Sequence, residues 1–380
     1  MPVSEKDKIQ ATYPLDVWFC RQCTHVQLLD IIDPGELFSD YVYVSGTSPA
    51  FVRHFEGYAG DVAATVGLQP GDLVVDLGSN DGTLLRFFQQ RGMRILGVDP
   101  AVKIAAAATS AGVPTWPTFF DSAVAKRIRA EYGPARCVTA NNVFAHIDDL
   151  GGIVDSVCSL LTPDGCFVFE VSYLLDVVEK TLFDTIYHEH LSYHTVCALQ
   201  PFFRRHGMEL VGAQRVDTHG GSLRGIARLA GGQARPDATV DGLLRLEAER
   251  GLDNEMTFQQ FHSEIARTRS ELVGLLGSLR ANGKRIAGFG APAKATTLMY
   301  HFGLGSDVIE FIVDDSPLKQ GLLSPGLHVP VLPAKAIAER RPDYLVILAW
   351  NFADQIMRKH EDFRATGGHF IVPLPRVTLH

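Results

Sequence analysis

Leu73-Val74-Val75-Asp76-Leu77-Gly78-Ser79-Asn80-Asp81-Gly82-Thr83-Leu84-Leu85 decides the fold class of this 380-residue chain. A short apolar run, a glycine turn and the opening of an amphipathic helix follow one another, so the stretch reads as strand, loop, helix. Gly78 and Gly82 let the backbone turn tightly and approach a ligand where a side chain would obstruct it. The next apolar run, Arg94-Ile95-Leu96-Gly97-Val98, ends at Asp99, 23 positions after Asp76. An acidic residue at the tip of the second strand is where the ribose hydroxyls of a nucleoside are gripped.

The loop lacks the strict spacing of the dinucleotide fingerprint, and Asn80-Asp81 leave neither room nor charge preference for pyrophosphate. An acidic rim suits a cationic sulfonium instead, so Gly78, Ser79, Asn80, Gly82 and Asp99 read as a site for S-adenosylmethionine rather than NAD. Further out, apolar and helical runs alternate from about Phe51 to Ala230, the grammar of a doubly wound parallel sheet. Strands are expected at Val74–Leu77, Ile95–Val98, Arg136–Ala140 and Gly165–Glu170. Two more, Glu209–Val216 and Ser222–Leu229, lie across the hairpin signal Asp217-Thr218-His219-Gly220-Gly221. An α/β sheet closed by an antiparallel hairpin is typical of methyltransferases and unusual for dehydrogenases.

A polar helical stretch from about Asn254 to Arg280 leads to a second strand–glycine–helix unit, Lys284-Arg285-Ile286-Ala287-Gly288-Phe289-Gly290-Ala291-Pro292-Ala293-Lys294. Strands follow at Val308–Val313, Tyr344–Ala349 and His369–Val372, so the parallel pattern restarts. A loop that opens a helix and carries a lysine suits an anion, and Lys294 is assigned to substrate phosphate. The same loop could equally be a glycine turn that only packs a helix on a strand. The expected fold is α/β: a Rossmann-like class I methyltransferase sheet over 56–235, a small irregular entry module over 1–55, and a linker helix with a second Rossmann-like, substrate-binding domain over 236–380.

The balance of 35 Lys plus Arg against 43 Asp plus Glu leaves a net charge of −8, which makes nucleic acid an unlikely partner by charge alone. No apolar run approaches the ~20 residues a membrane helix needs. The polar start Met1-Pro2-Val3-Ser4-Glu5-Lys6 is no signal peptide, so a cytoplasmic enzyme is expected. Six cysteines are too scattered for a disulfide framework, and of them Cys20 and Cys23 alone stand close together.

The chemistry is concentrated in Tyr187-His188-Glu189-His190-Leu191-Ser192-Tyr193. Imidazole takes and returns a proton near neutral pH, a carboxylate fixes its tautomer, and a phenol donates to a developing oxyanion. Together with Tyr13-Pro14-Leu15-Asp16-Val17, Asp40-Tyr41-Val42-Tyr43, Asn141-Asn142-Val143-Phe144-Ala145-His146 and His219-Gly220-Gly221-Ser222-Leu223-Arg224, the motifs fall in one family's order. The chain resembles the S-adenosylmethionine-dependent sugar C-methyltransferases of antibiotic biosynthesis, which methylate nucleotide-linked 4-keto deoxyhexoses. The resemblance spans nearly the whole chain. It implies His190 as general base with Glu189 and Tyr187 beside it, and Tyr41 and His146 reaching the same pocket. His188 is read as scaffold. Asn142 joins the cofactor residues, and Arg224 and His219 join Lys294 toward the substrate. The family's entry module carries zinc on two cysteine pairs, whereas this sequence starts too late for the first; with Cys20 and Cys23 alone, either zinc is absent or His25 and a distant residue complete the set.

Other classes stay open on sequence. An NAD-linked sugar oxidoreductase or epimerase would use two glycine loops and His plus Tyr chemistry, a methyltransferase acting on oxygen or nitrogen would use the same cofactor, and a silent binding protein would keep the fold alone. Intact Tyr187, Glu189 and His190 speak against the last. The chain is expected as a monomer or homodimer.

Overall fold

The computed structural model describes residues 1–39, 44–47, 49–218, 220–232 and 235–380. In chain order the strands are β1 (Val17–Phe19), β2 (Val26–Leu28), β3 (Leu73–Leu77), β4 (Arg94–Val98), β5 (Thr115–Trp116), β6 (Ala135–Asn141) and β7 (Leu161–Ser172). They continue with β8 (Ser192–Tyr193), β9 (Met208–Val216), β10 (Ser222–Leu229), β11 (Ile286–Phe289), β12 (Ile312–Val313), β13 (Val331–Leu332), β14 (Tyr344–Ile347), β15 (His369–Val372) and β16 (Thr378–Leu379).

The chain divides into two compact units, one of Asp16–Leu175 with His188–Asp253, the other of Met1–Leu15, Asp176–Tyr187 and Asn254–His380. In the first, a sheet of order β5-β4-β3-β6-β7-β10-β9 runs parallel until the β9–β10 hairpin, which pairs antiparallel on β7. Every residue of β3 is buried, as a central strand covered on both faces requires. The helix Pro49–Val66 lays Phe55, Tyr58, Ala59 and Val62 on Leu84, Leu85 and Phe88 of the helix Thr83–Gln90, forming the core on one side. Beside the large sheet, β1, β2 and β8 make a small antiparallel one, with Val26 opposite Tyr193 and Gln27 opposite Ser192. A strand from far along the chain thus completes the entry module.

In the second unit the sheet order is β13-β12-β11-β14-β15-β16, parallel except for β16. The long helix Glu255–Ala281, capped by Asn254 Oδ1 accepting from Met256 N at 3.0 Å, buries Ile265, Leu272 and Leu276 in this unit's core. The strand expected over Val308–Val313 is shorter, because Val308 N and Ile309 N close a turn on Gly305 O at 3.0 and 2.9 Å and delay extension to Ile312. No described helix is long and apolar enough to cross a membrane.

Candidate active site

The carboxyl ends of β3, β4 and β6 carry the glycine loop and its partners. Gly78 sits at φ +65°, and a Cβ there would lie 2.2 Å from Val143 Cγ2, so only glycine fits between loop and neighbouring strand end. Asn80, also left-handed at φ +50°, donates its N–H to Asp99 Oδ2 at 2.8 Å, while Ala101 N–H donates to Asp99 Oδ1 at 2.9 Å. Two backbone donors thereby hold Asp99 rigid, and burial raises its carboxyl above the usual range despite them. Asn80 Oδ1 accepts from Ser45 N at 3.0 Å, and Asp81 takes Gly46 N on one oxygen and Thr83 Oγ1 on the other, at 3.1 and 2.7 Å. Asp81, read as acidic rim, therefore caps the helix and ties down the 44–47 segment.

One residue that sequence reading passes over is Asp76, 4% exposed inside β3. Burial pushes its carboxyl to about 7, against the hydrogen bond it accepts from Thr139 Oγ1 at 2.6 Å. An acid in an otherwise apolar run is the available signal. Among the described residues, Ser79 Oγ and both polar atoms of the Asn141 side chain are buried without a hydrogen-bond partner at this same edge. Asn142 adopts φ +55° and donates N–H to Glu170 O at 2.7 Å.

The 3-10 turn Phe144–His146, which follows the Val143 that closes in Gly78, carries the first of two imidazoles. The rings of His146 and His190 stack with centroids 5.1 Å apart and planes 26° apart, and Phe38 stacks on His146 with centroids 5.7 Å apart. His190 is held by its neighbour: Leu191 N–H donates to Ala145 O, and Leu191 O accepts from Leu28 N, both at 2.9 Å. The family resemblance implies one pocket for His146 and His190, and here their rings meet; Phe38 carries no signal beyond being an aromatic. Glu189 lies on the same loop, and the chain passes between the two units at Tyr187–His188. Tyr41 and His219 lie outside the described residues. Deeper in, His194 is fully buried against Phe144, its ring pushed down to about 3 by burial and so neutral.

Arg224 is 7% exposed and pairs with Glu170 at 3.0 Å while stacking over the Tyr58 ring at 4.4 Å. Glu170 also receives His54 and Thr218, each at 2.8 Å; burial alone would raise its carboxyl, but these partners outweigh it and bring it below the usual range. Lys294, in the other unit, lies with its ammonium 3.6 Å from the Trp350 ring centroid and 3.9 Å from Asp184 Oδ2. Burial lowers that amine to about 8, with Asp184 opposing.

A doubly wound sheet with a second-strand acid bonded to the first glycine loop and an antiparallel closing hairpin defines a class I methyltransferase. Three family models match the chain in succession: a zinc binding domain over residues 2–38, a methyltransferase domain over 52–213 and a C-methyltransferase C-terminal domain over 217–375. The chain is 38% identical to C-methyltransferase NovU of Streptomyces niveus over 366 residues, covering 96% of this chain and 87% of the relative. It belongs to the C-methyltransferase family and is an S-adenosylmethionine-dependent enzyme. Among solved structures, magnesium protoporphyrin IX methyltransferase of Synechocystis PCC 6803 with bound SAM is 16% identical, with a TM-score of 0.35 over 47% of this chain and 80% of that one. A methyltransferase of Clostridium acetobutylicum is 10% identical, with a TM-score of 0.36 over 47% of this chain and 92% of that one. Overlaps this loose carry no argument.

The zinc that the first model implies meets a short donor set. Cys20 and Cys23 form a turn in which Thr24 N–H donates to Cys20 O at 2.8 Å, and the backbone N–H groups of Cys23 and Gln22 lower the Cys20 thiol. His25 turns its Nε2 to Ser192 Oγ at 3.2 Å. Among the described residues no group of three or more His, Cys, Asp or Glu could hold a metal. Two thiols are half of a tetrahedral set, so these residues do not fit a closed zinc site.

Proposed function

We propose that the enzyme methylates the carbon next to the ketone of a nucleotide-linked 4-keto deoxyhexose, through an enolate raised by His190, in deoxysugar assembly of the kind that decorates antibiotics. The observation that carries this reading is the stacked pair His146–His190. A carbon acid needs a base that works near neutral pH and donors for the enolate oxygen, whereas oxygen or nitrogen acceptors need a less elaborate pocket. His190 removes the proton from C3, with Glu189 beside it, and His146, Tyr187 and Tyr41 donate toward the oxygen at C4.

When bound, S-adenosylmethionine supplies an electrophilic methyl group on sulfonium. Gly78 and Gly82 let the backbone close on it, Asp99 accepts from the ribose hydroxyls, and Asn142 backs the loop. The Ser79 Oγ and Asn141 side chain, buried and without a partner among the described residues, fit a polar ligand at this edge, since such groups cost free energy until they are paired. Lys294 meets substrate phosphate in the second unit. Arg224, already paired with Glu170, acts on substrate through the shape of the hairpin that also bears His219.

The test is hydrogen exchange. With 4-keto sugar nucleotide and S-adenosylhomocysteine in deuterated water, the enzyme should wash deuterium into C3, and His190→Ala should lose exchange and turnover together by ~10²–10⁴-fold. Exchange that survives His190→Ala would remove it as the base. A methyl found on oxygen or nitrogen would refute the reaction itself.

A further inference from the structure

The backbone fixes where His146 and His190 are mounted, but not how their rings are turned. Leu191 N–H donates to Ala145 O at 2.9 Å and His146 N–H donates to Val143 O at 2.8 Å, so both imidazoles hang from main chain that is tied down. The ring torsion of a histidine stays soft all the same, with broad wells in place of sharp staggered ones. An imidazole is therefore aimed by what lies against its face. His190 has the ring of His146 against it, at 5.1 Å and 26°; His146 has Phe38 as well, at 5.7 Å and only 7°.

Phe38 stands where packing gives a phenyl ring little reason to be. The helix Pro34–Phe38 has five residues, is capped by Asp33 Oδ1 accepting from Gly35 N at 2.7 Å, and buries none of its own side chains. Phe38, His146 and His190 are all half-buried. A flat phenyl–imidazole contact deeper in the same unit, Phe144 on His194 at 12°, joins two fully buried rings and is explained by the core around it. The contact at Phe38 is flatter and open to solvent, so core packing does not account for it.

Flatness matters to a base. The lone pair of a neutral imidazole nitrogen lies in the ring plane, and turning the ring sweeps it away from the C–H it must meet; proton transfer needs hydrogen-bond reach and alignment. Stacked faces resist that sweep, because tilting one ring lifts it off the next. We propose that Phe38 is a positioning residue for the methylation: through the face of His146 it sets the plane of His190, so that the base is aligned before substrate arrives. This rests on the reading of His190 as base and His146 as donor, and adds a side chain that acts on the reaction through another.

The full chain is assayed with dTDP-4-keto-6-deoxyglucose as probe, for deuterium exchange next to the ketone in the presence of S-adenosylhomocysteine and for turnover with S-adenosylmethionine. Phe38→Leu keeps apolar bulk and loses the flat face. It should slow exchange and kcat by about tenfold, within what misplacing a reacting group costs, while KM for the probe and the calorimetric constant for S-adenosylhomocysteine stay at parental values. Phe38→Tyr keeps the face and should hold both rates within about twofold of the parent. In a His146→Ala chain, where the connection to His190 is already cut, Phe38→Leu should slow neither step further. Parental exchange by Phe38→Leu, a Phe38→Tyr chain as slow as Phe38→Leu, or a full further loss in the His146→Ala chain overturns the inference and leaves His190 as the base. A raised KM with kcat unchanged also overturns it, since Phe38 then touches substrate. A parent enzyme that exchanges no hydrogen overturns the reading of His190 and the inference with it.

Discussion

Asp76→Asn should make this protein more stable and a poorer host for its cofactor. The parent carboxyl titrates at about 7 instead of the usual 3.8 because it is buried in the middle of a strand. At ~1.4 kcal/mol per pH unit, that displacement makes the ionised side chain cost the folded state about 4 kcal/mol. The folded state keeps the proton where the unfolded chain has lost it, so stability is fully present below about pH 4, falls as pH rises toward about 7, and is level above. Asparagine retains an oxygen to accept from Thr139 Oγ1, 2.6 Å away, and carries no charge. In urea unfolding followed by circular dichroism, the variant should exceed the parent by ~2–4 kcal/mol at pH 8, and the margin should shrink by ~2–3 kcal/mol at pH 5. Calorimetry with S-adenosylhomocysteine at pH 8, where Asp76 is charged in the parent, should show weaker binding by the variant. A variant less stable than the parent at pH 8, or a margin indifferent to pH, would refute the account of why this acid is strained.

With Asp99 accepting from the ribose hydroxyls as proposed, Asp99→Ala removes contacts worth ~1.5–3 kcal/mol, so calorimetry should show S-adenosylhomocysteine binding weakened by about tenfold or more; an unchanged constant would take Asp99 out of the site. Gly78→Ala places a methyl 2.2 Å from Val143 Cγ2 in a left-handed backbone, and unfolding should reveal a loss of ~2–5 kcal/mol from backbone strain and overpacking together. Val143→Ala in the same chain should return part of that loss, and no return would mean the clash is relieved elsewhere.

The large sheet was legible because its strands are apolar runs bounded by turns, and the β9–β10 hairpin because glycines sit where the chain must reverse. The glycine loop and Asp99 followed from spacing alone. The imidazole pair was half legible: His190 stood out in its own run and His146 came only with the family resemblance, while their stacking depends on Leu191 reaching Ala145 and Leu28, contacts across 46 and 163 positions that no local pattern encodes. The grouping of Met1–Leu15 with the C-terminal residues was hidden for the same reason. It rests on backbone and amide contacts, Met1 N to Leu323 O at 2.7 Å and Gly326 N to Gln10 Oε1 at 2.8 Å, which leave no hydrophobic period behind. Lys294 reads in sequence as a free hook, yet its seat on Trp350 and beside Asp184 comes from three separate stretches of chain.

The little sheet of β1, β2 and β8 sets a rule for anyone building chimaeras from this family. Val26 and Leu28 are buried against a strand that begins two residues after His190, so an N-terminal module transplanted from a relative brings its own lattice for the recipient's His190. A crossover near residue 40 that exchanges the module but keeps the recipient's 188–195 segment joins two halves of one sheet that were never matched. Such hybrids would fold and hold their cofactor while turning over slowly, a defect that a screen for soluble expression would pass unnoticed.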